Sequence, residues 1–206
     1  MTSEIVFRNL SLWLLLAAAA AASASQQDTP EELVRSLADG VLLAIEANRD
    51  IHETDPAPLR REIRAVLGEH VAFDRIADRV MGRHVARATA AQRDRFAALL
   101  AETLIRRNVR MLALQGPTAV EVLAVERPAP DNAMVHLRAL PVSAAPVTLD
   151  CELARSEQGW VLLNLIIEGR DLGVGLEDRF AALISMHDGS IAAVLDAWAG
   201  EAVAVD

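Results

Sequence analysis

Apolar residues in the N-terminal half of the chain recur every three or four positions, the spacing of helices that bury one face. The first of these helices has threonine, proline and glutamate at 29, 30 and 32, which is typical of a capped helix start. The longest has threonine at 89 and glutamine at 92, a second capping box. The predicted helices start at Thr29, about Leu59, Asp74 as a cap, and Thr89, the last ending at Gly116-Pro117.

After Pro117 the hydrophobic period changes from about 3.6 to about 2, which predicts strands. Val120, Val122 and Ala124 form the inward set of a first strand, and three further strands follow. The fourth, Trp160 to Ile167, is apolar except for Asn164, as expected of an inner strand. Two closing helices are predicted at Leu176–Met186 and Ser190–Trp198. The fold class is therefore α+β: N-terminal helices, an antiparallel four-stranded sheet and C-terminal helices.

The first 24 residues resemble an export signal. Arg8 precedes an apolar stretch from Leu10 to Ala22, and Ala22-Ser23-Ala24 fits a cleavage site. The stretch is shorter than the roughly 20 residues that cross a bilayer. We therefore expect a signal peptide at 1–24, cleavage near Ala24, and one domain over 25–206 in the periplasm.

The chain has 206 residues, a net charge of −9 and no lysine, and its arginines are scattered among acids. This pattern argues against nucleic acid as a partner. The single cysteine, Cys151, cannot form an internal disulfide and lies between apolar neighbours on an alternating strand. We expect it to be a small buried hydrophobic residue.

The segment EGRDLGVGLEDRF, residues 168–180, spaces its glycines like a phosphate-binding loop. Such a loop belongs to the first strand-to-helix turn of a parallel fold, whereas this one follows the last predicted strand. Glu168 and Asp171 would also repel phosphate. We interpret Gly169, Gly173 and Gly175 as allowing a tight exit from the strand.

Catalytic and metal-binding signatures are weak throughout the sequence. The five histidines show no i, i+4 pair, and no serine lies in a nucleophile elbow. Pairing of Cys151 with His136 is disfavoured because the two residues belong to opposite faces of their strands. We therefore expect no enzyme activity, no metal and no cofactor other than a bound cargo.

Several stretches together resemble one protein family. These are HVAFDRIADRVMGRHVARATAAQRDRF from His70 to Phe96, LLAETLIRRNVRML, and WVLLNLIIEGRDL from Trp160. Their order and spacing are similar to the periplasmic phospholipid-shuttle proteins of the MlaC or toluene-tolerance type, over about residues 29 to 198.

The resemblance implies a carrier that holds a glycerophospholipid's acyl tails in a pocket between sheet and helices. Its implied partners are an inner-membrane ABC lipid-transport complex and an outer-membrane lipoprotein complex, which together maintain lipid asymmetry. Where the family usually has tryptophan, tyrosine and aspartate, this chain has Val85, Asn108 and Asn164. A hopanoid or other apolar lipid cargo, or a lipid-independent adaptor role, therefore stays open.

Periodicity alone favours an ordinary core of small side chains, whereas the resemblance favours a cleft among them. Arginines near the end of the long helix are candidates for contact with a phosphate at its mouth. The predicted pocket residues are Leu100, Leu104, Met111, Val135, Leu137, Val147, Leu149, Cys151, Leu163, Leu165 and Ile167. The predicted mouth residues are Arg107, Asn108, Arg110, Leu172 and Phe180.

Overall fold

The computed structural model describes residues 29–50, 55–115, 117–141 and 145–203, without the side chains of residues 108, 110–118 and 201–203. The predicted leader at 1–24 lies outside the described residues. The helices are α1 Pro30–Ala47, α2 Ala57–Leu67, α3 Phe73–Met81, α4 Ala90–Gln115, α5 Leu172–Met186 and α6 Ile191–Val203. The strands are β1 Pro117–Ala129, β2 Asn132–Pro141, β3 Val147–Ser156, β4 Gly159–Ile167 and β5 Arg170–Asp171.

Two of the predicted helix starts are confirmed, and a third is shifted. The Glu32 N–H donates to Thr29 Oγ1 at 3.2 Å while the Thr29 N–H donates to the Glu32 carboxylate at 3.1 Å. Thr89 and Gln92 form the same reciprocal pair before α4. Asp74 is not a cap, because α3 begins at Phe73 and Asp74 lies in its first turn. Its charge there still favours the helix dipole.

The α+β class is confirmed, but the sheet has five strands where four were predicted. Its order is β1-β2-β3-β4-β5, and every neighbouring pair is antiparallel. Glu168 and Gly169 both have positive φ, at 50° and 73°, so the chain reverses tightly after β4. Arg170–Asp171 therefore pairs back onto Ile166 and Ile167.

The inward set predicted for β1 is partly wrong because the strand contains a bulge. Val122 pairs with Leu137 but Ala124 pairs with His136, so Leu123 is an extra residue without a partner across the ladder. The alternation changes phase at that point. Ala124 is exposed, and Val125 takes its place against the core.

The core consists of three apolar clusters. The helical cluster joins α3, α4, α5 and α6 around Phe96, whose ring lies 5.1 Å from Phe180 and 5.0 Å from Trp198 between centroids. The sheet cluster packs α1 against β2, β3 and β4. The smallest, which we call the α2 cluster, consists of Ala44, Leu59, Ile63, Ile105 and Val109. Each cluster closes a different side of the fold.

None of the described helices is by itself long and apolar enough to span a membrane, although α5 with residues 191–200 of α6, bent by 118°, meets that test as a pair.

Helices α1 and α2 approach closely at Gly40. A Cβ atom placed on Gly40 would lie 2.8 Å from Val66 Cγ1, which is too short for an unstrained contact. We predict that Gly40→Ala destabilises the fold by about 1 kcal/mol, although alanine normally favours a helix interior over glycine. In a Val66→Ala background the same change should stabilise by about 0.5 kcal/mol. Urea unfolding of all four variants measures this coupling, and identical effects of Gly40→Ala in both backgrounds would contradict it.

The Cys151 thiol is buried in the sheet cluster beneath α1, as predicted. Burial, together with the neighbouring Asp150 carboxylate, raises the pKa of the thiol to about 12. Since the thiolate is the reactive form, we predict no labelling by a disulfide reagent in the native protein at pH 8. Labelling should begin with global unfolding in urea. Rapid labelling of the native protein would show that this part of the sheet is open.

Candidate functional site

An apolar cavity of about 210 Å³ lies between the sheet and the helices. Five helices and β4 contribute to its wall, and Asn164 is the one polar side chain in that wall among the described residues. The lining residues are Val41, Ile63, Leu67, Val71, Phe73, Ile76, Leu104, Ile105, Val109, Leu162, Leu163, Asn164, Leu165, Leu172, Gly173 and Leu176.

The segment between α2 and α3 is tied directly to β4. Val71 forms a parallel bridge with Leu162, and the Ala72 N–H donates to the Leu162 carbonyl oxygen at 3.1 Å. This pairing fixes the start of α3 over the strand. Phe73 and Ile76 therefore lie against the same stretch of β4 that supplies Leu163 and Leu165 to the wall.

The side chain of Asn164 joins β4 to the first turn of α5. Its Nδ2 donates to Asp171 Oδ1 at 2.9 Å, and its Oδ1 accepts from the Gly173 N–H at 3.0 Å. Asp171 also caps α5 by accepting from the Val174 N–H at 3.1 Å. We call these three residues, Asn164, Asp171 and Gly173, the amide clasp.

The structure explains two of the glycines in the segment 168–180. Helix α5 begins at Leu172, four residues before the predicted start at Leu176, because Asp171 caps it there. A Cβ atom on Gly173 would lie 3.0 Å from Asn164 Oδ1, so glycine permits the close approach of strand and helix. Gly169 provides the positive φ of the preceding turn.

Asp171 is ionised in this arrangement. Burial by itself would raise the pKa of its carboxyl, but the hydrogen bonds from Asn164, Val174 and Gly173 outweigh burial and lower the pKa overall. A carboxylate only accepts hydrogen bonds, so the atom of Asn164 that faces it is the NH2 group. The Gly173 N–H needs an acceptor, so the atom of Asn164 that faces Gly173 is the carbonyl oxygen.

Arg79 connects three elements at the rim of the cavity. From α3 it donates to Glu152 on β3 at 3.0 Å and to Glu177 on α5 at 3.1 Å. The hydrogen bond to Glu152 is the main cause that raises the pKa of Arg79. Ile76, three residues before Arg79 on α3, and Leu176, next to Glu177 on α5, both line the cavity. Because the Arg79 side chain is 40% exposed, its two ion pairs contribute little to the stability of the fold. We infer that their main effect is to orient α3, β3 and α5 relative to one another.

The structure brings four of the predicted site residues together in the cavity wall. Leu104 comes from α4, Leu163 and Leu165 from β4, and Leu172 from the start of α5. Leu172 had been placed at the mouth on the sequence alone. Its position in the wall follows from the early start of α5, which turns this residue toward β4.

Most of the remaining predicted residues lie elsewhere. Val135, Leu137, Leu149 and Cys151 pack in the sheet cluster with α1. Val147 and Ile167 are half-buried on β3 and β4, outside the cavity lining. The strand alternation identified the inward face of the sheet-cluster residues correctly, but α1 covers their part of the sheet.

Two predicted residues belong to the helical cluster. Leu100, a predicted pocket residue, is fully buried there and lies outside the cavity lining. The placement of Phe180 at the mouth is wrong. Its side chain is 1% exposed and packs against Phe96, because α5 turns this position toward α4 and α6.

Of the predicted cationic mouth, Arg107 is exposed on α4. The side chains of Asn108, Arg110 and Met111 lie outside the described residues. A second arginine, Arg179, was missed by the sequence analysis. Its guanidinium lies 4.5 Å from the centroid of the Trp198 ring, and burial, followed by the charge of Arg107, lowers its pKa.

The other lining residues missed by the sequence analysis come from α1, α2, α3 and the connection to α3, together with Ile105, Val109, Leu162, Asn164, Gly173 and Leu176. Val41, Ile63, Leu67 and Ile76 belong to the apolar spacing of three or four residues that predicts these helices. The missing information was which surface each helix covers, and spacing along one chain does not contain it. For Asn164 the signal was present: a single amide in an otherwise apolar strand must find buried partners.

Three comparisons with known proteins give consistent results. The phospholipid-binding protein from Ralstonia solanacearum, solved in complex with a phospholipid, superposes with a TM-score of 0.75 at 21% identity, over 84% of this chain and 96% of that one. The toluene tolerance protein Ttg2D of Pseudomonas putida is 23% identical over 174 residues, 84% of this chain and 81% of the relative. The family model of the MlaC protein matches residues 35–200. The chain therefore belongs to the MlaC family.

Proposed function

We propose that this protein is a lipid carrier that takes acyl chains into the cavity between β4 and the helices. The observation that carries the proposal is the cavity itself, since every described wall residue except Asn164 is apolar or glycine. A close-packed interior has few voids larger than a water molecule, so an apolar void of about 210 Å³ is unusual. Apolar cavities of comparable volume bind small hydrocarbons such as benzene.

The family relationship supports a glycerophospholipid as cargo, because the similar Ralstonia protein was solved with a phospholipid. Two acyl chains expose about 30 methylenes, whose removal from water is worth roughly 24 kcal/mol. Such a molecule crosses an aqueous gap only inside a carrier. We place the carrier in the periplasm, after cleavage near Ala24. There it moves lipid between an inner-membrane ABC transport complex and an outer-membrane lipoprotein complex.

The cavity is smaller than the cargo. A cavity of about 150 Å³ holds one benzene, so 210 Å³ takes roughly eight carbons of one chain. Complete loading therefore requires the walls to separate. The α2 cluster contains five buried residues and no aromatic ring, which makes the wall formed by α2 and α4 the easiest one to displace. The helical cluster, by contrast, contains the aromatic rings of Phe96, Phe180 and Trp198.

Filling the cavity with a larger side chain tests the function directly. We predict that Leu165→Trp reduces co-purified lipid at least tenfold, because the indole occupies the space of the acyl chain. Leu149→Trp is the matched control: the same substitution in the same sheet, on a residue outside the cavity wall. Mass spectrometry of organic extracts gives lipid per protein and also identifies the cargo, whether phospholipid or hopanoid.

Both variants should give a far-ultraviolet spectrum and cooperative unfolding similar to those of the parent protein. Lipid retained in full by Leu165→Trp would contradict the carrier function. A parent protein that binds no lipid at all, while still docking on membrane complexes, would instead favour an adaptor.

Export supplies a second test. We predict that the full-length chain expressed in a Gram-negative host appears in the periplasmic fraction with Ser25 at its N-terminus, because the leader is recognised and removed. A chain that starts at Ser25 is the control and should stay in the cytoplasmic fraction. Intact mass and N-terminal sequencing decide the result. Full-length protein retained in the cytoplasm with its leader uncut would contradict the periplasmic placement.

A further inference from the structure

Asn164 has hydrogen-bonding capacity that the protein does not use. Its NH2 group carries two N–H donors, and the structure gives one to Asp171. Within the described ranges, no protein acceptor faces the second donor. The residue is 7% exposed and forms part of the apolar cavity wall.

The position of this donor is fixed. Asp171 is an anion that can only accept, and the Gly173 N–H can only donate, so the two contacts allow a single orientation of the amide. The close fit of Gly173 against Asn164 holds the group in place. A fixed and buried donor in an apolar wall lowers the affinity of the cavity for pure hydrocarbon and favours a cargo that brings an acceptor.

We propose that Asn164 is a specificity-determining residue whose free N–H donates to the carbonyl oxygen at the head of an acyl chain, with the hydrocarbon following along the apolar walls. This inference rests on the proposed lipid-carrier function. The carbonyl can belong to the ester of a glycerolipid or to the carboxyl group of a free fatty acid. Both offer the same acceptor next to a long hydrocarbon chain.

The test compares lipids that differ only at this oxygen. A diester phosphatidylglycerol and its diether analogue, with equal chain lengths, compete for the delipidated protein against a fluorescent lipid probe. The diether lacks the carbonyl oxygens. We expect the diester to compete about tenfold better, the factor that a single neutral hydrogen bond contributes. Equal competition by diester and diether, together with competition by palmitate that is the same for the parent protein and for Asn164→Leu, would overturn the proposal.

Two variants separate recognition from structural support. Asn164→Leu should bind both lipids with equal affinity, because the donor is gone. Asp171→Ala removes one partner of Asn164 in the amide clasp and weakens the same strand-to-helix connection, but the Gly173 N–H still donates to Asn164 Oδ1 and so keeps the NH2 group on the same side. It should therefore lower stability and keep the tenfold ester preference. A preference that survives in Asn164→Leu, or disappears in Asp171→Ala, would contradict the proposal.

Palmitate distinguishes the two sources of the carbonyl. Competition by palmitate that depends on Asn164, together with a diester and a diether that compete equally, would assign the acceptor to a fatty acid carboxyl and not to a glycerolipid ester. Failure of all three ligands to displace the probe would instead contradict the carrier function itself. The outcomes for the cavity and for its specificity are thus separate.

Discussion

The contact between Asn164 and the first turn of α5 determines how the two halves of the fold meet. Strand β4 belongs to the sheet and α5 to the helical layer, and the amide of Asn164 hydrogen-bonds across their junction. Gly173 allows the approach, and Asp171 starts the helix at that point. Since α5 is then directed away from the strand, Phe180 reaches the rings of Phe96 and Trp198. The helical cluster is built on this direction.

The cavity lies where the three apolar clusters meet, and each cluster borders a different part of its wall. The helical cluster holds α3, α4 and α5 together, and the sheet cluster holds α1 on the strands. The α2 cluster closes the remaining side. Filling the void would require one of these layers to shift toward β4, and that shift would break packing elsewhere, because interiors are close-packed and resist deformation. The cavity is therefore maintained by the packing of the layers around it.

The sequence was sufficient for properties that depend on one element at a time. The capping boxes at Thr29 and Thr89, the inward face of β2 and the buried thiol of Cys151 all follow from local chemistry or alternation. Properties that require two elements were lost. The bulge at Leu123 changed the phase of β1, and the register shift has no composition signal.

The candidate site was harder to predict for the same reason. Alternation marks an inward face but does not say which helix covers it. Alternation therefore does not distinguish Val135 and Leu137 from Leu163 and Leu165. In the structure α1 covers the first pair, and the second pair lines the cavity. Phe180 was misplaced because its helix starts at Leu172, after the cap Asp171, which hydrogen-bonds to Asn164 on another element. The resemblance to a family predicted a pocket, whereas its wall depends on packing.

A carrier that exchanges cargo with membranes works under an energetic constraint that explains the composition of this wall. Moving a methylene out of water is worth about 0.8 kcal/mol, but moving it from a bilayer into an apolar cavity changes its surroundings little. Additional leucines in the wall would therefore add little preference for the carrier over the membrane. A fixed polar group contributes differently, since its hydrogen bond to the cargo depends on the chemistry of the chain's head and not on its length. Under the proposed function, Asn164 is therefore the wall residue that can distinguish cargoes by the chemistry of the chain's head.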